Sequence, residues 1–577
     1  MAVVSDSELR TRADRRKAGL MPERALMEPD WREVEAYCSA RKSRWLSGGT
    51  TATTGQGQRA SRANNLSNPK LLDSRGIQAH DILTSGLQSG MNSPSRPWFR
   101  LKTEDDDLME IQAVKDWLEI GQRRLYGLFA RSNFYSASKS GYGQMGKYGI
   151  EATFMAQHPK MGAVCHALVA GQFWVGVGPT LEPDTLLRRC DMTTIQMVQR
   201  FGYKAVPQRV RDAFDKSEYD GMHVAWHLIE PNIDAEKGKY DKSNMPWRSL
   251  YWMDGDHKGG SPLLEFGGYE EQPFWAPRWD VEGAEAYGTS PGLRALPNLR
   301  NLQLKHLRRQ QAIDYKVRPA LKGPPQLANS RQATVPGGIT YLAAQDDAAF
   351  KPIWEPNIDL SHLLEDIRDQ RDTVDAAMYA DMFNSITRLE GGDYKNMAHI
   401  ASLNEEKLTQ LGPVVERAQN EKQGVAIDRG FAILLRAGLL PPPPEELQGQ
   451  ELKVEYISVL AQMQRAVGLQ SIESSLGFVG HVAGLYPAAL DKVDFDQAID
   501  EYADISGTPA RMIRSDDAVA ALRKSRAEAE AQEKNMAAAA AMAGPMKDGA
   551  QAARLLSETP TGNGGTMLQQ VLGGQSA

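Results

Sequence analysis

Apolar residues change their spacing along the chain, and this change predicts where helices and strands lie. Before about residue 160 and after about residue 290, they recur every three or four positions, as on one face of a helix. Between these regions the period moves toward two, in pieces such as HVAWHLI, RSLYWMD and LLEFGGY that are cut by Gly and Pro. The pattern predicts an α+β chain that is mainly helical, with one β-rich block.

The N-terminal part is predicted to be helical with interruptions. Residues 1–46 have apolar side chains on one helical face, at Trp31, Val34, Tyr37 and Trp45. Residues 47–75, rich in Gly, Ser, Thr and Asn, predict a loop. Helix resumes near residue 77, gives way to the extended piece WFRLK, and returns over about 105–134. Asp105 to Asp107 are predicted to start this last helix, where the helix dipole favours acids.

The most apolar stretch of the chain, Met161 to Gly178, predicts a pair of strands. It is interrupted by His166, Gln172 and glycines, so it does not fit a bilayer span of about 20 residues. The chain has three cysteines, Cys38, Cys165 and Cys190, which form no CxxC pair and no cluster with histidine. We therefore expect no disulfide framework, no metal site and no membrane association.

The second half of the chain is predicted to contain long helices separated by irregular segments. A helix is expected from Pro291 to about Val317, followed by a Pro- and Gly-rich insert, and a second helix over about 359–383. The segment NSITRLEGGDYKNM predicts a loop before a long helix that covers 403–437 and ends at four prolines. The remainder is predicted to be helical, with an alanine-rich helix at about 515–543 and a Gly/Ser/Gln tail.

The two helices around the insert differ in charge. Between Arg300 and Arg331 there are eight basic residues and one acid, and between Glu355 and Asp381 there are eight acids and two arginines. These helices are expected either to pack antiparallel and pair their charges, within or between subunits, or to present two ordinary solvated faces. The net charge of -6 argues against bulk adhesion to nucleic acid, although a conduit that lets DNA slide is compatible with it.

No catalytic motif is evident in the sequence. The string Gly141 to Tyr148 has the spacing of a phosphate-binding loop, but it places Tyr148 where Ser or Thr must hold magnesium. The preceding FYSASKS is also too polar for the buried strand that such a loop follows, so a flexible Gly/Lys loop is the better interpretation. Adjacent acids elsewhere have no evident base or metal partner. We predict that the protein is not an enzyme and needs no cofactor.

Four segments, in this order, resemble the head-to-tail connector (portal) protein family of short-tailed double-stranded DNA phages. They are HDILTSGLQSGMNSPSRPWFRL (80–101), YEEQPFWAPRW (269–279), EAYGTSPGLRALPNLRNLQ (285–303) and the region Leu403 to Pro444. The resemblance implies a cyclic ring with a central channel, usually of twelve subunits, at one capsid vertex. Its implied parts are 1–290 wing, 291–318 first stem helix, 319–358 clip, 359–383 second stem helix, 384–397 channel loop, 398–449 long kinked wing helix, 450–543 crown or barrel helices, and 544–577 flexible tail.

The resemblance also implies a function and a set of partners. The ring conducts double-stranded DNA during packaging and ejection, docks the terminase large subunit and later the tail adaptor, and contacts capsid and scaffolding proteins. It is made in the host cytoplasm and belongs to the virion. Candidate DNA-channel residues are Arg388, Lys395, Lys305, Arg308 and Arg309. Candidate clip residues for the motor and adaptor are Gln326, Arg331, Tyr341 and Trp354.

Two other functions compete with this interpretation. One is a virion or secretion ring that does not conduct DNA. The other is a packaging ATPase or nuclease, which would need the phosphate-binding loop that Tyr148 disrupts. A ring is also expected because Leu293, Leu296, Leu299 and Leu302 would expose an apolar face unless neighbouring subunits or the wing cover it.

Overall fold

The computed structural model describes residues 5–41, 43, 45–46, 71–105, 107–236, 238–239, 241–255, 262–317, 321–322, 351–352, 360–387, 405–447, 449–450, 452–484, 486, 492–506 and 516–558. The chain divides into two compact units, Met1–Lys492 and Val493–Ala577. Among the residues described, no helix combines the length and apolar composition that crossing a bilayer requires.

Two helices begin the first unit. Helix α1 (Asp6–Cys38) starts at a capping box in which Ser5 and Glu8 satisfy each other's backbone N–H groups. Trp31 and Val34 are fully buried as predicted. Trp45 lies beyond the end of the helix, so the helical prediction for 1–46 was too long. Helix α2 (Arg75–Asn92) and strand β1 (Phe99–Thr103) confirm the predicted helix near residue 77 and the extended WFRLK.

The predicted helix over 105–134 is shorter than expected. A 3₁₀ turn (Asp107–Glu110) precedes helix α3 (Gln112–Arg131), and a separate helix α4 (Phe134–Tyr148) follows. The prediction that Asp105 to Asp107 start the helix is therefore wrong, because the chain turns first: Thr103 Oγ1 donates to the Asp105 carbonyl at 2.7 Å. The predicted buried side of α3 is confirmed at Trp117, Leu118, Leu125 and Leu128.

The glycine-rich string Gly141 to Tyr148 is the C-terminal half of helix α4, so its interpretation as a flexible loop was wrong. The reason is packing. A Cβ at Gly141 would lie 2.1 Å from Glu151 Oε2, and one at Gly146 would lie 2.9 Å from Leu83 of α2. Glycines here let neighbouring groups approach the helix closely, which outweighs their cost inside a helix of about 1 kcal/mol each.

The β-rich block is confirmed and forms two antiparallel sheets. A three-stranded sheet has the order β3-β2-β9, and a five-stranded sheet the order β4-β5-β6-β7-β8. The apolar stretch Met161 to Gly178 supplies β3 and β4, which lie in different sheets; the prediction that they pair with each other was wrong. The strands are β2 (Ala152–His158), β3 (Gly162–Leu168), β4 (Phe173–Val177), β5 (Pro183–Thr193), β6 (Met222–Pro231), β7 (Trp247–Met253), β8 (Glu265–Tyr269) and β9 (Phe274–Trp275).

Helices cover the five-stranded sheet. The N-terminal half of α1 packs Leu9, Ala13 and Leu20 against Leu187 and neighbouring residues of the sheet. Two short helices, α5 (Thr194–Phe201) and α6 (Gln208–Asp215), pack on Tyr251 and Met253, whose strand-mates point to the other side. The sheet is consequently buried by apolar clusters on two sides.

Helix α7 (Pro291–Val317) has the predicted bounds. The second predicted helix, 359–383, is instead two helices, α8 (Leu360–Ala377) and α9 (Ala380–Thr387). They are separated where Tyr379 takes a positive φ of 54°, a conformation that ends a helix. Because α9 continues to Thr387, the predicted loop does not begin at residue 384. Strands β10 (Leu321–Lys322) and β11 (Lys351–Pro352) pair antiparallel between α7 and α8.

The predicted long helix over 403–437 is confirmed over the part described. It comprises α10 (Glu405–Ala418), a π-helical segment (Gln419–Gly424) and α11 (Val425–Arg436). A 3₁₀ turn (Glu445–Leu447), strand β12 (Leu452–Tyr456) and helix α12 (Val459–Ala483) complete the first unit. The expectation that the chain after the proline run is entirely helical was wrong, because β12 pairs with β1 along its whole length.

The second unit contains helices α13 (Phe495–Ser506) and α14 (Asp516–Glu558) among its described residues. Helix α14 continues past residue 543, where a tail was expected to begin. In the first unit, Cys38 and Cys165 are buried and Cys190 is half-buried, and all three are free thiols, as expected.

Candidate functional site: the α7–α8 helix pair and its surroundings

Helices α7 and α8 pack antiparallel through an apolar core. Leu299 and Leu302 of α7 and Val374 of α8 are fully buried in one cluster, together with Val34 of α1. Leu296 of the same face is 6% exposed. The α7 leucines are therefore covered by helices of their own subunit. They do not require a neighbouring subunit, so this face gives no reason to expect a ring.

Polar side chains fix the register of the two helices. Gln370 of α8 donates to Asn298 Oδ1 at 3.1 Å and accepts from Asn301 Nδ2 at 2.9 Å. One turn further along α7, Lys305 Nζ lies 2.7 Å from Asp366 Oδ1. Residue numbers that rise on α7 thus meet numbers that fall on α8, which establishes the antiparallel arrangement. Among the described residues, Lys305 and Asp366 form the one ion pair that joins α7 directly to α8.

A buried aspartate joins the helix pair to the start of α2. The Asp73 side chain is 2% exposed and accepts from Arg371 Nη2 at 2.7 Å, and His306 Nε2 lies 2.6 Å from the same carboxylate oxygen. Gln303 accepts from the Asp73 backbone N–H and donates to its carbonyl. Burial lowers the pKa of His306 against the opposing effect of Asp73. This node, the contacts of Asp73 with Gln303, His306 and Arg371, attaches both α7 and α8 to the start of α2.

Next to this node, Arg75 of α2 forms an ion pair with Asp375 of α8, with Nε donating at 2.7 Å. Charged residues of both signs surround a recess here, lined by Asp73, Arg75, Arg368, Arg371, Asp372 and Asp375. Some acids of α8 thus form ion pairs within the subunit, Asp375 with Arg75 of α2 and Asp366 with Lys305 of α7. The hypothesis that the basic and acidic helices pack together is confirmed, whereas most of their charges in the described residues do not pair with each other.

The three candidate stem residues differ in their surroundings. Lys305 is neutralised by Asp366 and its side chain is 17% exposed. Arg308 is exposed and Arg309 half-buried, and neither forms an ion pair within the described part of the chain. The same end of α7 also exposes apolar side chains, at Leu304, Leu307, Ile313 and Val317. The far end of α7 therefore presents uncompensated positive charge beside apolar surface.

The segment that follows α9 leaves from an anchored base. Met382 and Phe383 of α9 are fully buried, and Phe383 packs on α2 where a Cβ at Gly86 would lie 2.2 Å from its ring. Lys407 of α10 forms an ion pair with Asp381 of α9, so the two ends of the segment are tied together. The candidate channel residues Arg388 and Lys395 lie outside the described residues.

The insert between α7 and α8 also leaves and returns at one place, since β10 and β11 pair in the register Leu321↔Pro352 and Lys322↔Lys351. The four candidate clip residues, Gln326, Arg331, Tyr341 and Trp354, lie outside the described residues. The insert and the segment after α9 follow opposite ends of the α7–α8 pair, because α8 returns along α7 before α9 begins.

A buried charge network holds the long helix in place, and sequence reasoning missed it. Lys422, in the π-helical segment, lies 2.9 Å from Glu151, and both side chains are 0% exposed. Glu151 also accepts from Trp275 Nε1 at 2.9 Å, and Lys422 lies over the Tyr142 ring at 3.5 Å. Burial raises the pKa of Glu151 and lowers that of Lys422, against the pull of each charge on the other.

Glu421, the neighbouring residue of the π-helical segment, also forms a buried ion pair. Glu421 is paired with Arg278 at 2.6 Å, and both side chains are almost fully buried. Arg278 also donates to the carbonyls of Glu285 and Leu181. The π geometry turns three consecutive residues, Glu421 to Gln423, toward the interior, which an α-helical pattern does not do. The signal in the sequence was QPFWAPRW, whose Trp275 and Arg278 are both partners of the network.

Comparisons with known proteins agree on one family. The family model of the bacteriophage head to tail connecting protein matches residues 10–513. The portal protein of Salmonella phage epsilon15 is 37% identical over 548 residues, 94% of either chain. The probable portal protein of Bordetella phage BPP-1 is 38% identical over 514 residues, 88% of this chain and 89% of the relative. The chain therefore belongs to the family of bacteriophage head to tail connecting proteins.

Its function is accordingly that of a phage portal, the connector between head and tail, as the resemblance in the sequence implied. Solved structures are much more distant. The neck of an empty GTA particle computed with C6 symmetry has 13% identity and a TM-score of 0.32, covering 70% of this chain and 86% of that one. The virion of a native gene transfer agent particle has 13% identity and a TM-score of 0.29, covering 69% and 94%. A likeness this low adds nothing to the family assignment.

Proposed function

We propose that copies of this chain form a ring of twelve subunits around a channel that double-stranded DNA enters during packaging and leaves during ejection. One observation carries the proposal: the antiparallel α7–α8 pair has an insert at one end and an anchored segment at the other. At about 1.5 Å per residue, the 27 residues of α7 span about 40 Å, a length suited to a channel wall.

The segment after α9 is the proposed channel loop. The helices on either side of it are tied together by the Asp381–Lys407 ion pair, and Met382 and Phe383 of α9 are fully buried, so the segment departs from a fixed base. In a ring, Arg388 and Lys395 would form circles of positive charge around the duplex. Each phosphate contact would be weak and sensitive to salt, which suits sliding rather than holding.

The basic end of α7 is the second proposed contact with DNA. Of the three candidates, Arg308 and Arg309 are the stronger, because Lys305 already neutralises Asp366 and has little charge to offer a phosphate. Unpaired guanidinium groups are suited to phosphate, and a few of them in a channel otherwise rich in acids would give a transient grip.

The insert, residues 319–358, is the proposed clip, which docks the terminase large subunit and later the tail adaptor. Its paired base, β10 with β11, supports an excursion that leaves and returns at one point. Gln326, Arg331, Tyr341 and Trp354 are the proposed contacts. The ring would be made in the host cytoplasm, joined to capsid and scaffolding proteins, and remain at the portal vertex of the virion. It has no catalytic role in this proposal.

Two measurements test the proposal. Electron microscopy of the purified chain is expected to show rings with a central hole, and a stable monomer or dimer under all assembly conditions would contradict the ring. In a phage that depends on this chain, deleting Gln326 to Gly338 is expected to leave ring formation intact and abolish DNA packaging. Normal packaging by the deletion would refute the position of the clip, and rings that never conduct DNA would favour the alternative of a non-conducting ring.

A further inference from the structure

A row of polar side chains crosses the five-stranded sheet. The strand register places Arg188 of β5 opposite His227 of β6, His227 opposite Tyr251 of β7, and Tyr251 opposite Glu265 of β8. Residues that are directly opposite on neighbouring strands point to the same face, so the four side chains form one line. Arg188, His227 and Tyr251 are buried. Burial is unusual for an arginine such as Arg188.

The buried arginine in this row lacks an acidic partner. Arg188 is 6% exposed, and no carboxylate lies within ion-pair distance of it in the part of the chain that the structure describes. Its Nε donates to His227 Nδ1 at 2.8 Å and its Nη2 to the Tyr251 hydroxyl at 2.9 Å, while Nη1 makes neither bond. Both acceptors are uncharged, so the positive charge is solvated by neutral groups and by the Phe154 ring, 4.1 Å away.

The hydrogen bonds determine the charge of His227. Since Nδ1 accepts from Arg188, the proton of the neutral ring is on Nε2, which donates to Ser249 Oγ at 2.9 Å. Burial, and next the charge of Arg188, hold the pKa of His227 well below its ordinary value. His227 therefore adds no charge to the row, and it positions Arg188 rather than competing with it.

A second arginine meets the first at the tyrosine. Arg200 of α5 donates from Nη2 to the same Tyr251 hydroxyl at 3.0 Å, so this nitrogen and Arg188 Nη2 are at most 5.9 Å apart. Glu265 lies 3.6 Å from Arg200, and these two side chains are 50% and 42% exposed. Glu265 thus compensates Arg200, whereas the positive charge of Arg188 has no acid within ion-pair distance in the described part of the chain.

We infer that Arg188 and Arg200 form a binding site for an oxyanion, a phosphate or carboxylate group that bridges the two guanidinium groups over Tyr251. Bridging oxygens fit this spacing, since charge-assisted N–H···O bonds are about 2.7–2.9 Å long. The chemistry is shared by two sources: a dissolved anion, or an acidic side chain of a second copy of this chain. The site does not depend on the proposed DNA conduit.

Thermal unfolding of the purified full-length chain, in phosphate and in chloride of equal ionic strength, tests this site. Phosphate is expected to raise the Tm by about 2 °C and to saturate, as ligand binding to the folded state does. The Arg200→Gln variant is expected to lose the rise. The matched control is Arg209→Gln, on neighbouring α6, where an exposed arginine donates to the Asp254 carbonyl away from the row; it is expected to keep the rise.

The source of the anion is separated by sedimentation of the same three proteins. If phosphate raises the Tm of the wild type and of Arg209→Gln but not of Arg200→Gln, the site binds a dissolved anion. If phosphate has no effect but Arg200→Gln alone weakens assembly, the oxyanion is a carboxylate of a second copy. If Arg200→Gln and Arg209→Gln behave alike in both measurements, the site does not exist.

Discussion

Two groups of charges in this protein have opposite surroundings. Around the π-helical segment, Lys422 and Glu151 are entirely removed from solvent and paired at 2.9 Å. Toward the far end of α7, the exposed Arg308 and the half-buried Arg309 have no acidic partner in the described part of the chain. Charges in the interior contribute to a fixed geometry, because any change leaves a partner buried and unpaired. Charges at the end of α7 contribute little to folding and remain available for contact with another molecule.

The largest expected effect comes from breaking the buried pair. Lys422→Met leaves Glu151 buried without its partner and is expected to cost about 3–5 kcal/mol in the free energy of unfolding. Urea denaturation measures this loss. The double variant Lys422→Met with Glu151→Gln removes both charges and is expected to recover a large part of it. If Lys422→Met is no less stable than wild type, the network does not hold the long helix.

A smaller effect is expected where the channel-loop base packs on α2. Gly86→Ala places a Cβ about 2.2 Å from the Phe383 ring, so side chain or backbone must shift, at a cost of about 1–3 kcal/mol. The matched control is Gly127→Ala in α3, where no atom lies within 4 Å and the helix is expected to gain stability. Equal stability of the two variants would show that α9 is not packed as described.

Burial of His227 makes the stability of the folded chain depend on pH. Its folded-state pKa is lowered by burial, so below the ordinary value of about 6.5 the unfolded chain binds a proton that the folded chain does not. Stability is therefore present above that pH and falls as the pH drops, by up to about 1.4 kcal/mol per pH unit. His227→Asn keeps an acceptor for Arg188 and is expected to reduce this slope between pH 6.5 and 5. An unchanged slope would mean that other groups cause it.

The smallest effects on stability belong to the α7 charges. Lys305→Met is expected to cost about 0.2–1 kcal/mol because it removes the Asp366 pair, whereas Arg308→Gln with Arg309→Gln is expected to change stability by less than about 0.5 kcal/mol. Denaturation of both variants checks the order. If the double variant is the less stable one, its arginines have structural partners and are not free for DNA.

Secondary-structure elements whose signals lie within their own residues were predictable from the sequence. Helix α7 has Pro at its first position and leucines at helical spacing, and both of its bounds were predicted. The break at Tyr379 was not, because neither Gly nor Pro stands there and a positive φ leaves no mark in the sequence. The loop predicted over Gly141 to Tyr148 is the second half of helix α4, because its glycines serve close packing against residues far along the chain.

The functional assignment was predictable from short segments of sequence, whereas the buried charge clusters were not. The family, and with it the portal function, was predictable because several short segments resemble known connectors in the same order. The Lys422–Glu151 pair was not, because its two residues are far apart in the sequence and a buried lysine contradicts the usual pattern. The Arg188 row required the strand register, because neighbouring members of the row are 14 to 39 positions apart in the sequence.

Substitutions in the proposed channel loop show whether the α7–α8 pair supports a DNA conduit. Particles are prepared with Arg388→Ala and Lys395→Ala together, beside particles with the distant control Arg209→Gln, and their retention and ejection of packaged DNA are measured. Both sets of rings are expected to assemble normally, and only the double variant is expected to alter retention or ejection. Unchanged retention and ejection in the double variant, with the loop observed far from the ring axis, would contradict the proposed conduit.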